Sequence, residues 1–141
     1  MIRPVYSLGP SEDAKAIREE VFCREQGYQN EFDELDADSI SLVLYLDEAP
    51  IATGRLTKID PSSYQIGRVA VRKPYRGKQV GSYLVRFLCK KAREMGARTC
   101  IVHAQMEKRS FYAHLGFRLV GEGEIDFDEG HPHVYMSRDA Y

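Results

Sequence analysis

The stretch VAVRKPYRGKQVGS, residues 69–82, constrains the fold of this chain more than any other feature. A strand-like run at residues 68–71 is interrupted at Pro74 and followed by a basic, glycine-containing loop at residues 76–81. A strongly periodic helix begins directly afterwards. Helix N-termini attract anions, and glycines let the backbone approach a ligand. This order predicts a site for a phosphate-bearing ligand; the alternative is a glycine turn that caps an ordinary amphipathic helix.

The loop differs from the two commonest phosphate-binding sequences. It lacks the GxxxxGK[ST] pattern of Walker-type nucleotide loops and the GxGxxG pattern of dinucleotide-binding domains. It also lies in the middle of the chain, after several predicted strands, whereas a dinucleotide fingerprint follows the first strand of its unit. These two classes of nucleotide site are therefore disfavoured.

Hydrophobic periodicity and turn residues predict a mixed sheet with helices on both faces, an α+β (mixed α/β) fold. The apolar stripe of the central helix is predicted to be Val80, Leu84, Phe87, Leu88, Ala92 and Met95, with Gly96 as the stop. The predicted elements are a strand at 2–7, a helix capped by Ser11, an antiparallel meander at 42–46, 51–59 and 64–71, the central helix at 80–95, a buried strand at 99–104, a short helix at 107–115, and a final strand pair at 117–120 and 133–137. The 99–104 strand is predicted to be parallel to the 64–71 strand because a helix connects them.

Length and composition fit one compact domain spanning residues 1–141. A net charge of −1 argues against a dedicated nucleic-acid binder. No apolar run approaches the roughly 20 residues of a membrane span, and no signal peptide is expected. Cys23, Cys89 and Cys100 are odd in number and lack CxxC spacing, so we expect reduced core thiols in a cytoplasmic protein, with a reactive cysteine as the alternative. The histidine spacing predicts no metal site.

The loop and the strand before it resemble the acetyl-CoA loop of the GNAT superfamily of N-acyltransferases. The family pattern is [Q/R]xxGx[G/A], a few residues after an apolar strand. Arg76 matches its first position and Gly81 its last, whereas Gln79 stands where the family most often has its middle glycine.

A second block, Ser110-Phe111-Tyr112-Ala113-His114-Leu115-Gly116-Phe117, is similar to the family's FYxxxGF segment. There a short helix places a tyrosine beside the cofactor thiol, and Gln105 stands where many members have asparagine. Three further pieces, at residues 21–26, 104–105 and 130–133, resemble the ElaA/YjcF-like branch of the superfamily. The resemblance extends over nearly the whole chain.

This resemblance implies an acyl-CoA-dependent N-acyltransferase that most often uses acetyl-CoA, and whose amine acceptor attacks the thioester directly in a ternary complex. It also implies a mostly antiparallel sheet whose two parallel central strands splay apart around the pantetheine arm. The residues that it assigns to the acyl-CoA site are Val69, Ala70, Val71, Arg76, Gly77, Lys78, Gln79, Val80, Gly81, Ser82, Gln105 and Tyr112. Within this set, Arg76 and Lys78 are expected to face the pyrophosphate. Backbone N–H groups of residues 69–71 are expected to donate hydrogen bonds to the oxyanion. Arg72 and Lys73 reach the 3′-phosphate or are solvated.

The resemblance and the chemistry of acyl transfer together indicate candidate catalytic residues. Tyr112 is the candidate general acid or hydrogen-bond donor for the leaving thiolate, because a phenol retains its proton at pH 7; the alternative is a packed core aromatic. A base must supply the neutral amine, and the candidates are Glu25, then His133, then His103, each of which has a purely structural alternative. Many members of the family use a chain of water molecules instead.

The remaining functional questions stay open at the level of sequence. The acidic cluster Glu31, Asp33, Glu34, Asp36 and Asp38 is expected to be a solvated loop, with an acidic rim that attracts a cationic amine as the alternative. Rival functions are an acyl-CoA-binding sensor or partner-binding module without turnover, and a purely structural α+β domain. An edge strand near the C-terminus would allow a homodimer. The amine acceptor and the acyl chain length are not indicated.

Overall fold

The computed structural model describes residues 1–29 and 31–140 and contains one eight-stranded, mostly antiparallel sheet. Its order is β1-β2-β3-β4-β5-β8-β6, and β7 pairs with the first residues of β8. Only β4 and β5 are parallel neighbours. The strands are β1 (Ile2–Leu8), β2 (Ile40–Leu46), β3 (Ala49–Asp60), β4 (Ser63–Val71), β5 (Thr99–Gln105), β6 (Arg118–Leu119), β7 (Asp126–Asp128) and β8 (His131–Asp139).

Helices cover both faces of this sheet. The first helix, α1 (Glu12–Arg18), begins at Ser11, whose Oγ accepts the Ala14 N–H, and continues into a π-helical turn at Glu19–Glu25. The other helices are α2 (Val80–Glu94) and α3 (Arg109–His114), with 3₁₀ turns at Glu34–Asp38, Lys73–Tyr75 and Met106–Lys108. The face under α1 has its own apolar cluster of Ala14, Ile17, Val21, Val43 and Ala70. The face under α2 holds the larger core, which includes Leu84, Leu88, Leu44, Ile51, Ile66 and Val102.

The structure confirms the predicted fold class, the meander and the parallel strand pair, with three corrections. Met95 is 42% exposed, because α2 ends before it and Gly96, with φ of +96°, turns the chain away from the core. The short strand β7 was not predicted, since its three residues are all exposed and show no alternation. The C-terminal strand β8 lies inside the sheet, and the two-residue β6 forms that edge.

The two central strands separate after a short parallel ladder. β4 and β5 pair over only four positions, from Ser63↔Thr99 to Ile66↔Val102, although both strands continue beyond them. A bulge lies where they part: the register between β3 and β4 shifts beside Gly54, and Arg68 adopts a left-handed backbone with φ of 52°. The implied splay is therefore present, and it opens a wedge between residues 67–71 and 103–105.

Candidate active site

The wedge contains a cleft whose volume is about 110 Å³. One wall comes from Gly67, Arg68 and Val69 on β4, and the facing wall from residues 102–105 on β5. The remaining lining residues are Phe22, Gln26, Tyr28, Glu31, Lys108, Tyr112, Asp128 and His133. The structure thus brings Val69, Gln105, Tyr112, His103 and His133 of the sequence-predicted set to one cleft.

The basic loop presents the open N-terminus of α2. Within the described chain, no side chain caps this 15-residue helix, and its first turn contains no acidic residue. The first internal bond at this end is donated by Tyr83 to the Gln79 carbonyl, so the N–H groups of Val80, Gly81 and Ser82 precede the helical ladder. Gln79 itself has φ of 64° and ψ of 16°, a left-handed conformation that glycine adopts more easily. This left-handed conformation explains why glycine is preferred at this position of the family pattern. Glutamine adopts the same conformation with strain.

Glu25, the first candidate base, and Arg76, which was expected to face the pyrophosphate, form an ion pair with each other. The Glu25 carboxylate lies 2.9 Å from the Arg76 guanidinium, and Arg76 Nε donates to the Val71 carbonyl at 2.8 Å. Glu25 is not among the described residues that line the cleft. Arg72 is similarly engaged, with Glu20 and the Pro50 carbonyl. Glu25 therefore lies beside the basic loop at residues 76–81 rather than in the wall of the cleft.

Tyr112 lies in the cleft wall with its ring embedded in the core. The ring packs edge-on against Phe111 and Phe117, with centroids 5.0 and 5.5 Å away, and the residue is 6% exposed. Burial, and to a smaller extent Cys89, raises the pKa of this phenol well above its ordinary value. The hydroxyl therefore keeps its proton throughout the physiological range.

His133 and His103 form a ring cluster on the β5–β8 side of the cleft, with centroids 4.6 Å apart. His133 Nδ1 lies 2.8 Å from the His131 carbonyl, which can only accept, so a neutral His133 carries its proton on Nδ1 and leaves Nε2 as a lone pair. Nε2 lies 3.5 Å from the Tyr28 hydroxyl. His103 Nε2 instead faces the Asp126 carboxylate at 2.8 Å, and this contact lowers the pKa of Asp126.

Gln105 belongs to a chain of amide and hydroxyl groups at the end of β5. Its Nε2 donates to Gln26 Oε1 at 2.7 Å and lies 3.4 Å from the Tyr28 hydroxyl. Burial, followed by Asp128, raises the pKa of Tyr28. The residues that follow the first helix are thus tied to the end of β5 at the mouth of the wedge.

A buried ion-pair network lies next to this chain. Arg18 binds Glu31 through Nε at 2.8 Å and Asp36 through Nη1 at 2.7 Å, and all three residues are at most 7% exposed. Arg68, at the bulge, reaches the other oxygen of Glu31 at 2.6 Å, and Arg55 contacts Asp36 at 3.1 Å. The network therefore joins α1, the loop after it, β3 and the bulge of β4.

The two buried acids of the network have opposite pKa shifts. Burial raises the pKa of Glu31 even though Arg18 and Arg68 favour its ionised form. Burial also acts on Asp36, but hydrogen bonds from Arg18, the Asp33 N–H and Arg55 outweigh it and lower the pKa from 3.8 to about 2. Asp36 is thus the anion on which the network depends.

The expectation of a solvated acidic loop is wrong for Glu31 and Asp36, whereas Asp33 is exposed although it pairs with Arg55 and Arg68. Glu34 and Asp38 are exposed, as expected, but Glu31 and Asp36 are buried against arginines. The alternative of an acidic rim is also disfavoured, because the charges of three arginines neutralise those of the three acids. The members are Arg18, Arg55, Arg68, Glu31, Asp33 and Asp36.

The cysteines and the remaining donor groups add no further catalytic set among the described residues. All three cysteines are free; Cys89 and Cys100 are buried and Cys23 is partly exposed. Burial and the neighbouring Glu31 raise the pKa of Cys23, which disfavours a reactive thiolate. Residues 1–29 and 31–140 contain no group of three or more His, Cys, Asp or Glu side chains placed to hold a metal ion. In the same ranges, no helix is long and apolar enough to cross a membrane.

A family model for the acetyltransferase (GNAT) family matches residues 10–117, more than half of the chain. The chain belongs to the GNAT family. It is 36% identical over 129 residues to the Bacillus subtilis (strain 168) protein named uncharacterized N-acetyltransferase YjcF, covering 90% of this chain and 91% of that one.

Solved structures extend the likeness of this GNAT chain. Escherichia coli ElaA is 28% identical, with a TM-score of 0.83 and coverage of 98% of this chain and 99% of that one. An acyl-CoA N-acyltransferase from Pseudomonas aeruginosa has a TM-score of 0.84 over 98% of this chain and 99% of its own. At 24% identity, this second structure supports the fold alone. The resemblance to the ElaA/YjcF-like branch is therefore confirmed.

Sequence reasoning missed three cleft residues: Tyr28, Arg68 and Glu31. No periodic pattern marks Tyr28, which lies in an irregular segment between two short helical turns. The sequence pattern placed Arg68 in a regular strand, and its left-handed backbone conformation reveals the bulge. Glu31 was grouped with its exposed neighbours, and its burial depends on a partner 13 positions earlier, Arg18.

Proposed function

We propose that this GNAT chain is an acyl-CoA-dependent N-acyltransferase that transfers an acetyl group to a primary amine by direct attack in a ternary complex. The observation that carries the proposal is the separation of β4 from β5 after four paired positions, beside the uncapped N-terminus of α2. A slot between strands suits an extended pantetheine arm, and an open helix terminus suits its pyrophosphate. The free cysteines fit a cytoplasmic setting.

The phosphate end of the ligand would be held by the loop at residues 76–82. The N–H groups of Val80, Gly81 and Ser82 supply donors, and the helix dipole favours negative charge. Lys78 is exposed and available to the pyrophosphate, whereas Arg76 would have to share its guanidinium between the ligand and Glu25. Gly81 allows close packing, since an added Cβ would meet the Phe111 ring at 3.3 Å.

Acetyl-CoA supplies the activated thioester, and the chain's own groups would orient and polarise it. Backbone N–H groups of residues 69–71, beyond the β4–β5 ladder, are the proposed donors to the developing oxyanion. The Tyr112 hydroxyl is the proposed donor to the leaving sulfur. Because its pKa is raised far above the roughly 8.5 of a thiol, it stabilises the thiolate by hydrogen bonding rather than by full proton transfer.

His133 is the proposed general base. A lysine-like amine is overwhelmingly protonated at pH 7, so the cleft must accept a proton before attack. Nδ1 of His133 faces a carbonyl acceptor, which directs the Nε2 lone pair toward the cleft, where it has only the long contact to Tyr28. His103 is second, because its Nε2 already faces Asp126, and Glu25 third, because it stands beside Arg76.

Calorimetric titration with acetyl-CoA, CoA and ATP tests the first half of this proposal. Micromolar binding of acetyl-CoA and CoA, with ATP silent, is the expected result. Absence of binding at millimolar acetyl-CoA would refute the assignment of the loop and the wedge. Binding without thiol release in the presence of any amine would instead support an acyl-CoA-binding sensor.

Thiol release with an amine library tests the second half. Tyr112→Phe is expected to lower kcat by about tenfold or more while leaving acetyl-CoA affinity nearly unchanged, because the lost hydrogen bond matters mainly as the thiolate forms. His133→Gln should lower kcat/KM and change the acidic limb of its pH profile, to which ionisation of the amine itself also contributes. His114→Gln is the matched control, since His114 is exposed on α3 and bonds only its own helix through the Ser110 carbonyl. An unchanged pH profile in His133→Gln would remove His133 from the mechanism.

A further inference from the structure

Residues 26–29 together with Glu31 form a bridge across the mouth of the wedge. On the β4 side, Glu31 binds Arg68 at 2.6 Å. On the β5 side, Gln26 accepts a hydrogen bond from Gln105 at 2.7 Å. The bridge thus contacts both strands whose separation creates the cleft.

The bridge also reaches the hairpin formed by β7 and β8. The Tyr28 ring stacks on the His131 ring with centroids 4.6 Å apart, and the Tyr28 hydroxyl lies 3.5 Å from His133 Nε2. The Gln29 N–H donates to the Glu129 carboxylate at 2.8 Å. These contacts join residues about 100 positions apart in the chain, and they place Tyr28 against the proposed base, His133.

The two ends of the bridge are held by different kinds of contact. At the β4 end, both oxygens of the buried Glu31 carboxylate are bound by arginines, Arg18 and Arg68. At the hairpin end, the Gln29 N–H binds a carboxylate, whereas the polar contacts of the Tyr28 hydroxyl are long and its ring is held by packing. Buried, charge-assisted hydrogen bonds are the stronger kind, so Glu31 is the anchor and Tyr28 is the closing residue.

The geometry points to the bridge as the determinant of acceptor size: it admits compact amines and excludes lysine side chains presented by a polypeptide. This inference rests on the proposed acyltransferase function and names its acceptor class. Gln26, Tyr28 and Glu31 are themselves walls of the cleft. A peptide would have to place main chain on both sides of its lysine, where the bridge already lies.

A series of acceptors with the same reacting amine tests this inference. The series is n-butylamine, Nα-acetyl-lysine amide and a lysine-containing octapeptide, each assayed by thiol release from acetyl-CoA. For the wild-type protein, we expect kcat/KM to fall at least tenfold from n-butylamine to the octapeptide. Tyr28→Ala, which removes the closing ring, should bring the two values within about threefold of each other.

The ratio of the two kcat/KM values separates the effect of the bridge on acceptor size from effects on the chemical step. Tyr28 contacts the proposed base, so its removal changes absolute rates, but both acceptors share that base. Glu129→Ala provides a milder opening that removes the acceptor of the Gln29 N–H and keeps the Tyr28 ring, and an intermediate ratio is expected. Phe127→Ala is the matched control, because this aromatic residue lies on β7, is 69% exposed and does not line the cleft; its ratio should equal that of the wild type.

The outcomes separate this inference from the proposed function. An octapeptide used as well as n-butylamine by the wild type overturns the size restriction and leaves the acyltransferase function intact. An unchanged ratio in Tyr28→Ala shows that another element sets acceptor size, and it also overturns the inference. Binding of acetyl-CoA without transfer to any amine refutes the proposed function, and the inference fails with it.

Discussion

Replacing Asp36 by asparagine should remove the anion on which the buried network depends. The carboxylate accepts hydrogen bonds from two nitrogens of Arg18, from Arg55 Nη1 and from the Asp33 N–H, at 2.7 to 3.1 Å. An asparagine has one acceptor oxygen, and its NH₂ group would face arginine donors. Breaking a buried ion pair by removing one partner typically costs about 3–5 kcal/mol.

The lowered pKa gives an independent magnitude. One pKa unit corresponds to about 1.4 kcal/mol, so the fall from 3.8 to about 2 represents roughly 2.5 kcal/mol of stability at neutral pH. A depressed carboxyl pKa stabilises the fold above the unfolded-state value and is lost as pH falls through the folded value. About 1.6 kcal/mol of it should therefore be gone by pH 2.5. Burial raises the pKa of Glu31, which acts in the opposite direction, so only the difference between wild type and variant isolates Asp36.

Urea unfolding at pH 7 and at several values down to pH 2.5 measures this difference. We expect Asp36→Asn to lose about 3 kcal/mol at pH 7, which corresponds to a Tm lower by roughly 10 °C for a chain of this length, and the gap from wild type should narrow with acidity. Asp38→Asn is the matched control, because Asp38 is exposed in the same 3₁₀ turn, and it should change stability by less than about 0.5 kcal/mol. A loss below about 1 kcal/mol for Asp36→Asn, or a gap that does not change with pH, would refute the reasoning.

Three further substitutions test separate features. Gln79→Gly should raise stability by about 1 kcal/mol in a thermal melt, because glycine adopts the left-handed conformation without strain; a lower Tm would contradict this. Glu25→Gln should tighten acetyl-CoA binding about fivefold in low-salt calorimetry by releasing Arg76, and the gain should fade as salt is added; a collapse of kcat with binding unchanged would instead make Glu25 the base. Gly54→Ala should lose about 1–3 kcal/mol in urea unfolding, since its Cβ would lie 2.7 Å from Leu88 Cδ1 in the core; wild-type stability would show that Leu88 moves without cost.

The sheet and the helix that cross the core could be predicted because their patterns are local. The stripe from Val80 to Ala92 repeats with the helical period over four turns, and five of its six proposed members are buried or half-buried. The meander strands follow one another with short turns, so each strand pairs with its neighbour in sequence. The prediction that Met95 is buried was wrong because periodicity does not reveal where the last turn of the helix leaves the core.

The acceptor side of the site could not be predicted, since it is built from contacts without any local pattern. The polar contacts of the Tyr28 hydroxyl in the cleft are with side chains about 80 to 100 positions away. The bulge depends on a left-handed Arg68 that propensity does not favour in a residue other than glycine, asparagine or aspartate. The residues proposed for acyl-CoA binding could be predicted from the family resemblance, whereas the ion pair between Arg76 and Glu25 has no signal in the sequence.

The short parallel ladder between β4 and β5 also has a consequence for how the chain folds. Strands β2, β3 and β4 are neighbours in both chain and sheet, so their hairpins close over short loops with little entropy loss. In the described residues, β4 and β5 join the two halves of the sheet through four paired positions, and the 15-residue α2 lies between them in the chain. From contact order, we expect the meander to form first, α2 next and the β4–β5 pairing last. The gap that would receive the ligand is thus the seam at which the two halves of the nascent chain meet.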